Sequence, residues 1–181
     1  MPENKPVAFF NGQLLPETNV GISIRDRGFL YGDAVFDATR TFQGQPFKLT
    51  EHVDRLFNSL RYLRIDSEMT KEDMISWSLK VVEHNYPLLP DGQDLWVMQR
   101  ISRGLESSTV TTNPKPTILI ESHPIPFARR AKLYRDGIRL ITPSTPRIPP
   151  RFISPRAKTH NYLNLIMGEL EAQATDPESW A

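Results

Sequence analysis

One lysine of the sequence lies where its amine could do covalent chemistry. Lys158 stands between a proline-rich passage and a predicted helix, and Asn161 and Tyr162 follow it three and four residues later. On a helix, side chains at this spacing share a face. A lysine whose surroundings leave some neutral amine can form an imine with a carbonyl compound. A solvated surface lysine is the alternative interpretation of the same pattern.

Other residues could bind a charged or apolar ligand. Arg55 could hold a phosphate with its planar fork of donors, although an exposed helical arginine is the usual finding. Arg40 falls on the same strand face as Phe36, and its charge needs a partner there. Tyr31 lies in a glycine-bearing loop, where it would either pack on the core or contact a substrate.

Turns and alternation predict the strands that position these residues. Phe36, Ala38 and Arg40 alternate with residues of the opposite face, which is the pattern of a strand. Gln43-Gly44 then predicts a turn into a second strand, so the two form a hairpin. Asn11-Gly12 between two apolar segments predicts another hairpin near the N-terminus.

Helical spacing of apolar residues predicts two helices after these strands. The first begins near Thr50, a candidate N-cap, and contains Arg55. Thr70 and Asp73 form an approximate capping box for the second helix, which should end near Asn85.

The prolines indicate two domains in an α/β fold. Further strands at 95–103 and 117–122 complete a predicted α+β N-terminal domain, residues 1–122. Two closely spaced prolines open a predicted linker, residues 123–136, because proline stiffens the backbone and removes ladder donors. Residues 137–181 hold too few elements to bury a core of their own, so they are predicted to begin a second, β-rich domain.

Composition excludes several classes of function. Lys and Arg number 22 against 21 Asp and Glu, so the net charge of +1 gives no general attraction to nucleic acid or acidic membranes. The sequence has no Cys, which excludes disulfides and thiolate ligands, and no P-loop or zinc-protease motif, so no metal site is predicted. It also has no apolar stretch long enough to span a membrane and no signal-like N-terminus, so a cytoplasmic location is predicted.

Five strings of residues occur in a characteristic order along the chain. They are Asp26 to Phe36, the strand ending at Arg40, Glu51 to Leu56, Ser102-Arg103-Gly104, and Lys158 to Asn164. Together they resemble the class IV, or fold-type IV, family of pyridoxal-phosphate-dependent aminotransferases, which includes branched-chain and D-amino-acid enzymes. The resemblance extends over essentially the whole chain and implies the fold of that family.

The resemblance implies pyridoxal 5′-phosphate as cofactor. Lys158 would form the Schiff base with it and shuttle a proton between substrate and cofactor. Arg55 matches the phosphate-binding arginine of the family, and Tyr162 matches the tyrosine that hydrogen-bonds the phenolic oxygen of the cofactor. The acidic partner of the pyridine nitrogen and the phosphate-cradling loop would lie beyond Ala181, so the sequence is expected to be a fragment of a longer enzyme.

The resemblance also implies a substrate pocket shared between two subunits of a homodimer. Tyr31, Phe36, Ala38 and Arg40 match positions that line this pocket, where Arg40 would help to place a substrate carboxylate and Phe36 would pack on an apolar side chain. The strand that contains Arg100 lacks the tyrosine-isoleucine-arginine string typical of branched-chain enzymes. Arg100 is therefore a candidate carboxylate ligand, and a structural salt bridge is the alternative.

Departures from the family pattern leave the substrate open. Ala34 and Ala38 stand where glycine is frequent, and Asp37 stands where glutamate is frequent. The leading prediction is amino transfer between a branched-chain or other hydrophobic L-amino acid and a 2-oxo acid. The alternatives are a D-amino-acid or (R)-amine transaminase, an aminodeoxychorismate lyase, and a non-catalytic module for dimerisation or regulation.

Overall fold

A computed structural model of the chain describes residues 5–105 and 115–181. Two compact units are present. The first extends to Ile125 and includes Arg156–His160, and the second consists of Pro126–Pro155 and Asn161–Ala181.

Within its described residues, the first unit contains one antiparallel sheet and three α-helices. The strands are β1 (Val7–Phe10), β2 (Gln13–Pro16), β3 (Ala34–Phe42), β4 (Gln45–Pro46), β5 (Leu95–Ser102) and β6 (Thr117–Pro124), in the order β2-β1-β6-β5-β3-β4. The helices are α1 (Arg27–Tyr31), α2 (Leu49–Leu63) and α3 (Lys71–Asn85). The predicted α/β class is confirmed.

Helices α2 and α3 pack on one face of the sheet. Val35 of β3 and Val97 of β5 are fully buried there, in one cluster with Val53 and Leu56 of α2 and Met74 of α3. Burial of such side chains is the main driving force for this packing. Because side chains alternate along a strand, Phe36, Ala38 and Arg40 face away from the two helices.

Several local predictions are confirmed and one is wrong. Asn11 and Gly12 both have positive φ, 47° and 102°, as a type I′ turn requires. The Thr70–Asp73 capping box is present, and α3 ends at Asn85. However, α2 begins at Leu49 rather than after Thr50, because Lys48 turns the chain in the left-handed region (φ 52°) directly after the hairpin.

Arg103 fastens the C-terminal end of α2 to the sheet. Its guanidinium makes a bidentate pair with Asp33, at 2.7 and 3.0 Å, and donates to the carbonyl oxygens of Leu63 (2.8 Å) and Arg64 (3.0 Å). The arginine therefore satisfies carbonyls that the end of a helix leaves without partners. Burial alone would raise the pKa of Asp33, but the hydrogen bonds from Arg103 and Arg27 outweigh it and lower that pKa.

The second unit contains two helices and a short parallel sheet. These elements are α4 (Phe127–Asp136), β7 (Arg139–Leu140), α5 (Leu163–Thr175) and β8 (Ser179–Trp180). Residues 123–136, for which we predicted a linker, instead contain the end of β6 and all of α4. The prolines only mark the joint, since the ten residues after Pro126 include no helix breaker. Within the described ranges, no helix is long and apolar enough to cross a membrane.

Candidate active site

The Lys158 segment, residues 156–160, runs along the edge of β3 opposite to β5. The N–H of Phe36 donates to the carbonyl oxygen of Lys158 (3.0 Å), and the N–H of His160 donates to that of Ala34 (2.9 Å). Val35 and Thr159 thus form an antiparallel bridge. The fold therefore fixes the backbone of Lys158 against the long strand β3.

Helix α2 holds the same backbone from the other side through Ser59. The N–H of Lys158 donates to Ser59 Oγ at 3.0 Å, and Ser59 Oγ donates to the carbonyl oxygen of Arg55 at 3.0 Å. Ser59 is 1% exposed. Arg55 and Ser59 lie one helical turn apart on the same face, so this serine places Lys158 beside the turn that carries Arg55. Sequence reasoning missed Ser59, whose only signal was a polar residue at the edge of an apolar stripe.

The ring of Phe36 contacts Lys158, Arg100 and His160. Lys158 Nζ lies 4.2 Å from the centroid of its ring, and the Arg100 guanidinium carbon lies 5.5 Å from the same centroid. The His160 ring meets Phe36 edge to face, at 5.4 Å between centroids. Cations favour the negative face of an aromatic ring. The structure thus brings together Lys158, Phe36 and Arg100, three of the residues predicted from the sequence.

Arg55 is held by a buried carboxylate that sequence reasoning did not assign to it. Arg55 Nε and one Nη each donate to an oxygen of Asp37 at 2.7 Å, and His52 Nδ1 lies 2.8 Å from Asp37. The Asp37 side chain is fully buried, whereas that of Arg55 is 49% exposed. Asp37 therefore orients a guanidinium that an anionic ligand can still reach.

The electrostatics of Asp37 favour its ionised form. Burial by itself would raise the pKa of Asp37, because it penalises the charged carboxylate. Hydrogen bonds from Arg55, His52 and the N–H of Ala38 outweigh that penalty, so the pKa is lowered from its ordinary value of 3.8. The carboxylate is therefore charged at any pH near neutrality.

Arg100 forms a salt bridge, the predicted alternative to a role as carboxylate ligand. Arg100 Nε donates to Glu121 Oε1 at 2.7 Å, and one Nη lies 3.0 Å from Met98 Sδ. The side chains of Arg100 and Glu121 are 33% and 24% exposed. The pair lies on the Phe36 face of the sheet, since Arg100 is directly opposite Phe36 in the β3–β5 register.

Ala38 and Arg40 follow Phe36 along the same face of β3. Arg40 has a partner, as the sequence required: one Nη lies 3.7 Å from Asp94, and the guanidinium lies 3.9 Å from the centroid of the Phe42 ring. Arg40 thus contacts Asp94 and Phe42 near the C-terminal end of β3, away from Ala34. Ala38, opposite Met98 on β5, provides only a methyl group on this face.

The two predicted tyrosines belong to different units. Tyr31 ends α1 in the first unit, is 59% exposed, and has the Arg27 guanidinium 5.2 Å from its ring centroid. Tyr162 lies in the second unit, where it precedes α5 and its carbonyl oxygen accepts from the N–H of Ile166 at 3.0 Å. Tyr162 is 38% exposed.

A cavity of about 340 Å³ opens at the Ala34 end of the Phe36 face. Phe29, Leu119, Arg100 and His160 are among its lining residues. His160 Nε2 is buried, and no residue in the described part of the chain hydrogen-bonds it. Burial, together with the charge of Arg100, lowers the pKa of His160 to about 4. The imidazole is therefore neutral near pH 7. The cavity lining combines apolar side chains with the Arg100 cation and the Asp26 carboxylate.

Comparisons with known proteins agree on one family. The family model for amino-transferase class IV matches residues 34–180. A Methanocaldococcus jannaschii protein provisionally named as a branched-chain-amino-acid aminotransferase is 35% identical over 166 residues, covering 91% of this chain and 54% of that protein. Aminodeoxychorismate lyase of Bacillus subtilis is 30% identical over 170 residues, covering 90% of this chain and 54% of the lyase.

A solved structure gives the same result at the level of the fold. The T.th. branched-chain amino acid aminotransferase with pyridoxamine 5′-phosphate superposes with a TM-score of 0.83 at 25% identity, covering 94% of this chain and 57% of that one. The chain thus spans about half the length of the relatives that it matches.

Proposed function

Because this chain belongs to the class IV aminotransferase family, we propose that it takes part in pyridoxal-phosphate-dependent transfer of an amino group between an amino acid and a 2-oxo acid. The observation that carries the proposal is the placement of Lys158. Its backbone is held by β3 and by Ser59 of α2, and its amine lies on the ring of Phe36. A lysine in an ordinary surface loop would have no such support from two elements.

The residues of the first unit suit a phosphate-bearing aldehyde. Lys158 would hold the cofactor as a Schiff base, and Arg55, aligned by Asp37 one turn from Ser59, would bind the phosphate. We extend the same proposal to Tyr162, which would donate to the phenolic oxygen. When bound, the cofactor supplies the electron sink that stabilises negative charge on the substrate α-carbon.

The side chains around Lys158 would then bind the substrate and move its proton. Lys158 Nζ would take the proton from the substrate α-carbon and hold it for delivery to the cofactor. Arg100 would bind a carboxylate, and Phe36 and Ala38 would contact the substrate side chain. Arg40 is a weaker candidate for a carboxylate than Arg100, because Asp94 and Phe42 already engage it.

We propose hydrophobic, branched-chain L-amino acids as the substrates. This choice is supported by the name of the M. jannaschii relative. It is also supported by the apolar side chains of the cavity and by the aromatic ring of Phe36. Aminodeoxychorismate lyase remains the second candidate, because the B. subtilis lyase is nearly as similar. Release of 4-aminobenzoate from aminodeoxychorismate would favour the lyase, and release of a 2-oxo acid from leucine would favour the transaminase.

Borohydride trapping tests the assignment of Lys158. The protein is incubated with pyridoxal phosphate, reduced, digested and analysed by mass spectrometry. We expect the added phosphopyridoxyl group on Lys158 and its loss in Lys158→Ala, whereas Lys80→Ala, which changes a lysine on the outer side of α3, should be labelled like the wild type. Label on another lysine at full stoichiometry in Lys158→Ala would refute the assignment.

We further propose a homodimer in the cytoplasm. The segment before β3, which includes α1, exposes large apolar side chains, a surface that a second copy would cover. They are Ile22, Ile24, Phe29, Leu30 and Tyr31. Light scattering should give twice the mass of the chain, and Ile24→Asp with Phe29→Asp should give the monomer. The absence of Cys is compatible with a reducing compartment.

A further inference from the structure

We infer that Glu121 is a positioning residue that aims the guanidinium of Arg100 at a carboxylate group of the substrate. The inference rests on the proposed function, which makes the Phe36 face the substrate site. No string that supports the family resemblance contains Glu121, and only the pairing of β5 with β6 brings it to Arg100. Glu121 lies opposite Met98, diagonally across from Arg100.

The geometry of the ion pair leaves the terminal edge of Arg100 for a ligand. Glu121 engages Nε at 2.7 Å, so the strong acceptor takes the side of the guanidinium rather than its end. At the end, the contact within the described residues is with Met98 Sδ at 3.0 Å. A thioether is a weak acceptor. A carboxylate that binds at the terminal nitrogens would therefore displace only the weak contact with Met98. It could accept two parallel hydrogen bonds from Arg100.

The Arg100 guanidinium lies close enough to Lys158 for one substrate molecule to contact both. Lys158 Nζ and the Arg100 guanidinium carbon lie within about 10 Å of each other, because each is close to the centroid of Phe36, at 4.2 and 5.5 Å. Arg100 also lines the cavity next to Phe36. The charge of Arg100 is among the causes that lower the pKa of His160. A substrate bound near Lys158 thus lies within reach of the cation.

Glu121 would favour substrate binding mainly because it restricts the rotamers of Arg100 before the substrate binds. A long arginine side chain loses rotamer freedom when it grips a ligand, at about 0.5–1.5 kcal/mol for each side chain immobilised. The ion pair fixes Arg100 before the substrate arrives, so less freedom is lost on binding. An acceptor at the Oε1 position is sufficient for this role, and its negative charge is not required.

Two substitutions at Glu121 separate positioning from charge. Glu121→Gln keeps an acceptor oxygen at Nε, and Glu121→Ala removes it. Binding of 4-methylvalerate, an unreactive carboxylate, and of its neutral amide is measured by calorimetry with each variant. We expect Glu121→Ala to weaken binding of the acid by about two- to tenfold. Glu121→Gln should bind the acid at least as tightly as the wild type, and amide binding should change in neither variant.

Further variants keep the test decisive. Arg100→Gln should remove the preference for the acid over the amide, and Glu51→Ala, at an exposed pair with Lys48, should leave it unchanged. Circular dichroism establishes that each variant is folded. Unchanged or tighter binding of the acid by Glu121→Ala would overturn the inference, as would equal losses for acid and amide. If leucine is not deaminated while the Arg100-dependent preference persists, the proposed function fails and the positioning role stands.

Discussion

Replacing Asp37 by asparagine should destabilise the first unit and loosen Arg55 at the same time. The substitution is nearly isosteric, so it leaves the packing between α2 and β3 in place. It removes the charge that Arg55 meets at two oxygens, 2.7 Å from each donor. It also replaces one acceptor oxygen by an amide donor that points at the guanidinium or at His52.

The magnitude follows from the burial of the two partners. Breaking a fully buried ion pair by removing one partner costs about 3–5 kcal/mol. Here Asp37 is fully buried, but the Arg55 side chain is 49% exposed and water can solvate it after the change. Discounting for that exposure, we expect Asp37→Asn to lower the free energy of unfolding by about 1–3 kcal/mol.

Urea unfolding followed by circular dichroism measures this difference. The matched control is Asp54→Asn on the same helix, where the carboxylate is 47% exposed in an ion pair with Lys71. We expect the control to cost less than about 0.5 kcal/mol. Equal stability of the two variants would refute the argument that burial makes the Asp37–Arg55 pair the stronger one.

The same pair predicts a dependence on pH. The pKa of Asp37 is lower in the folded protein than its ordinary value of 3.8. Its contribution to stability is therefore complete above about pH 4 and is lost as the pH falls through the lowered pKa. The difference between wild type and Asp37→Asn should thus be constant from pH 5 to 7 and shrink below pH 4. A difference that grew on acidification would contradict this assignment.

Three further substitutions, one of them with a matched control, probe how the fold supports the site. Arg103→Met leaves Asp33 with Arg27 as its ion-pair partner and removes the donor to two helix-end carbonyls, so we expect a loss of about 2–4 kcal/mol in the free energy of unfolding. Gly104→Ala should unfold or rearrange its turn, because a Cβ there would lie 2.0 Å from a backbone oxygen, whereas Gly12→Ala, with similarly positive φ but open space around it, should cost much less. Ser59→Ala leaves the N–H of Lys158 without its acceptor and should lower stability by about 1–2 kcal/mol.

Each of these substitutions has its own check. Thermal unfolding ranks Arg103→Met and the two glycine variants, and similar losses at both glycines would show that the close approach at Gly104 relaxes at little cost. For Ser59→Ala, hydrogen exchange at the N–H of Lys158 should accelerate more than exchange in α3. Unaltered exchange would mean that β3 alone holds the Lys158 segment.

Local patterns were sufficient for most elements because their causes are local. The φ values of Asn11 and Gly12 follow from the turn chemistry of those residues, and the capping box at Thr70 lies within four residues. The start of α2 was misplaced because the preceding hairpin, and not the residue types after it, decides where the helix begins. The helix at 127–136 was missed because the two prolines before it were interpreted as the start of a linker.

By itself, the sequence determined the α/β class, the family and the candidate Lys158, Arg55, Phe36 and Arg100, because residue type and order carry that information. It could not determine which partners hold these residues in place. Three contacts join residues that are far apart in the sequence. Asp37 and Arg55 are 18 residues apart, Ser59 and Lys158 are 99 apart, and Arg100 and Glu121 are 21 apart. Such contacts depend on strand register and helix packing, so only the tertiary structure could decide them.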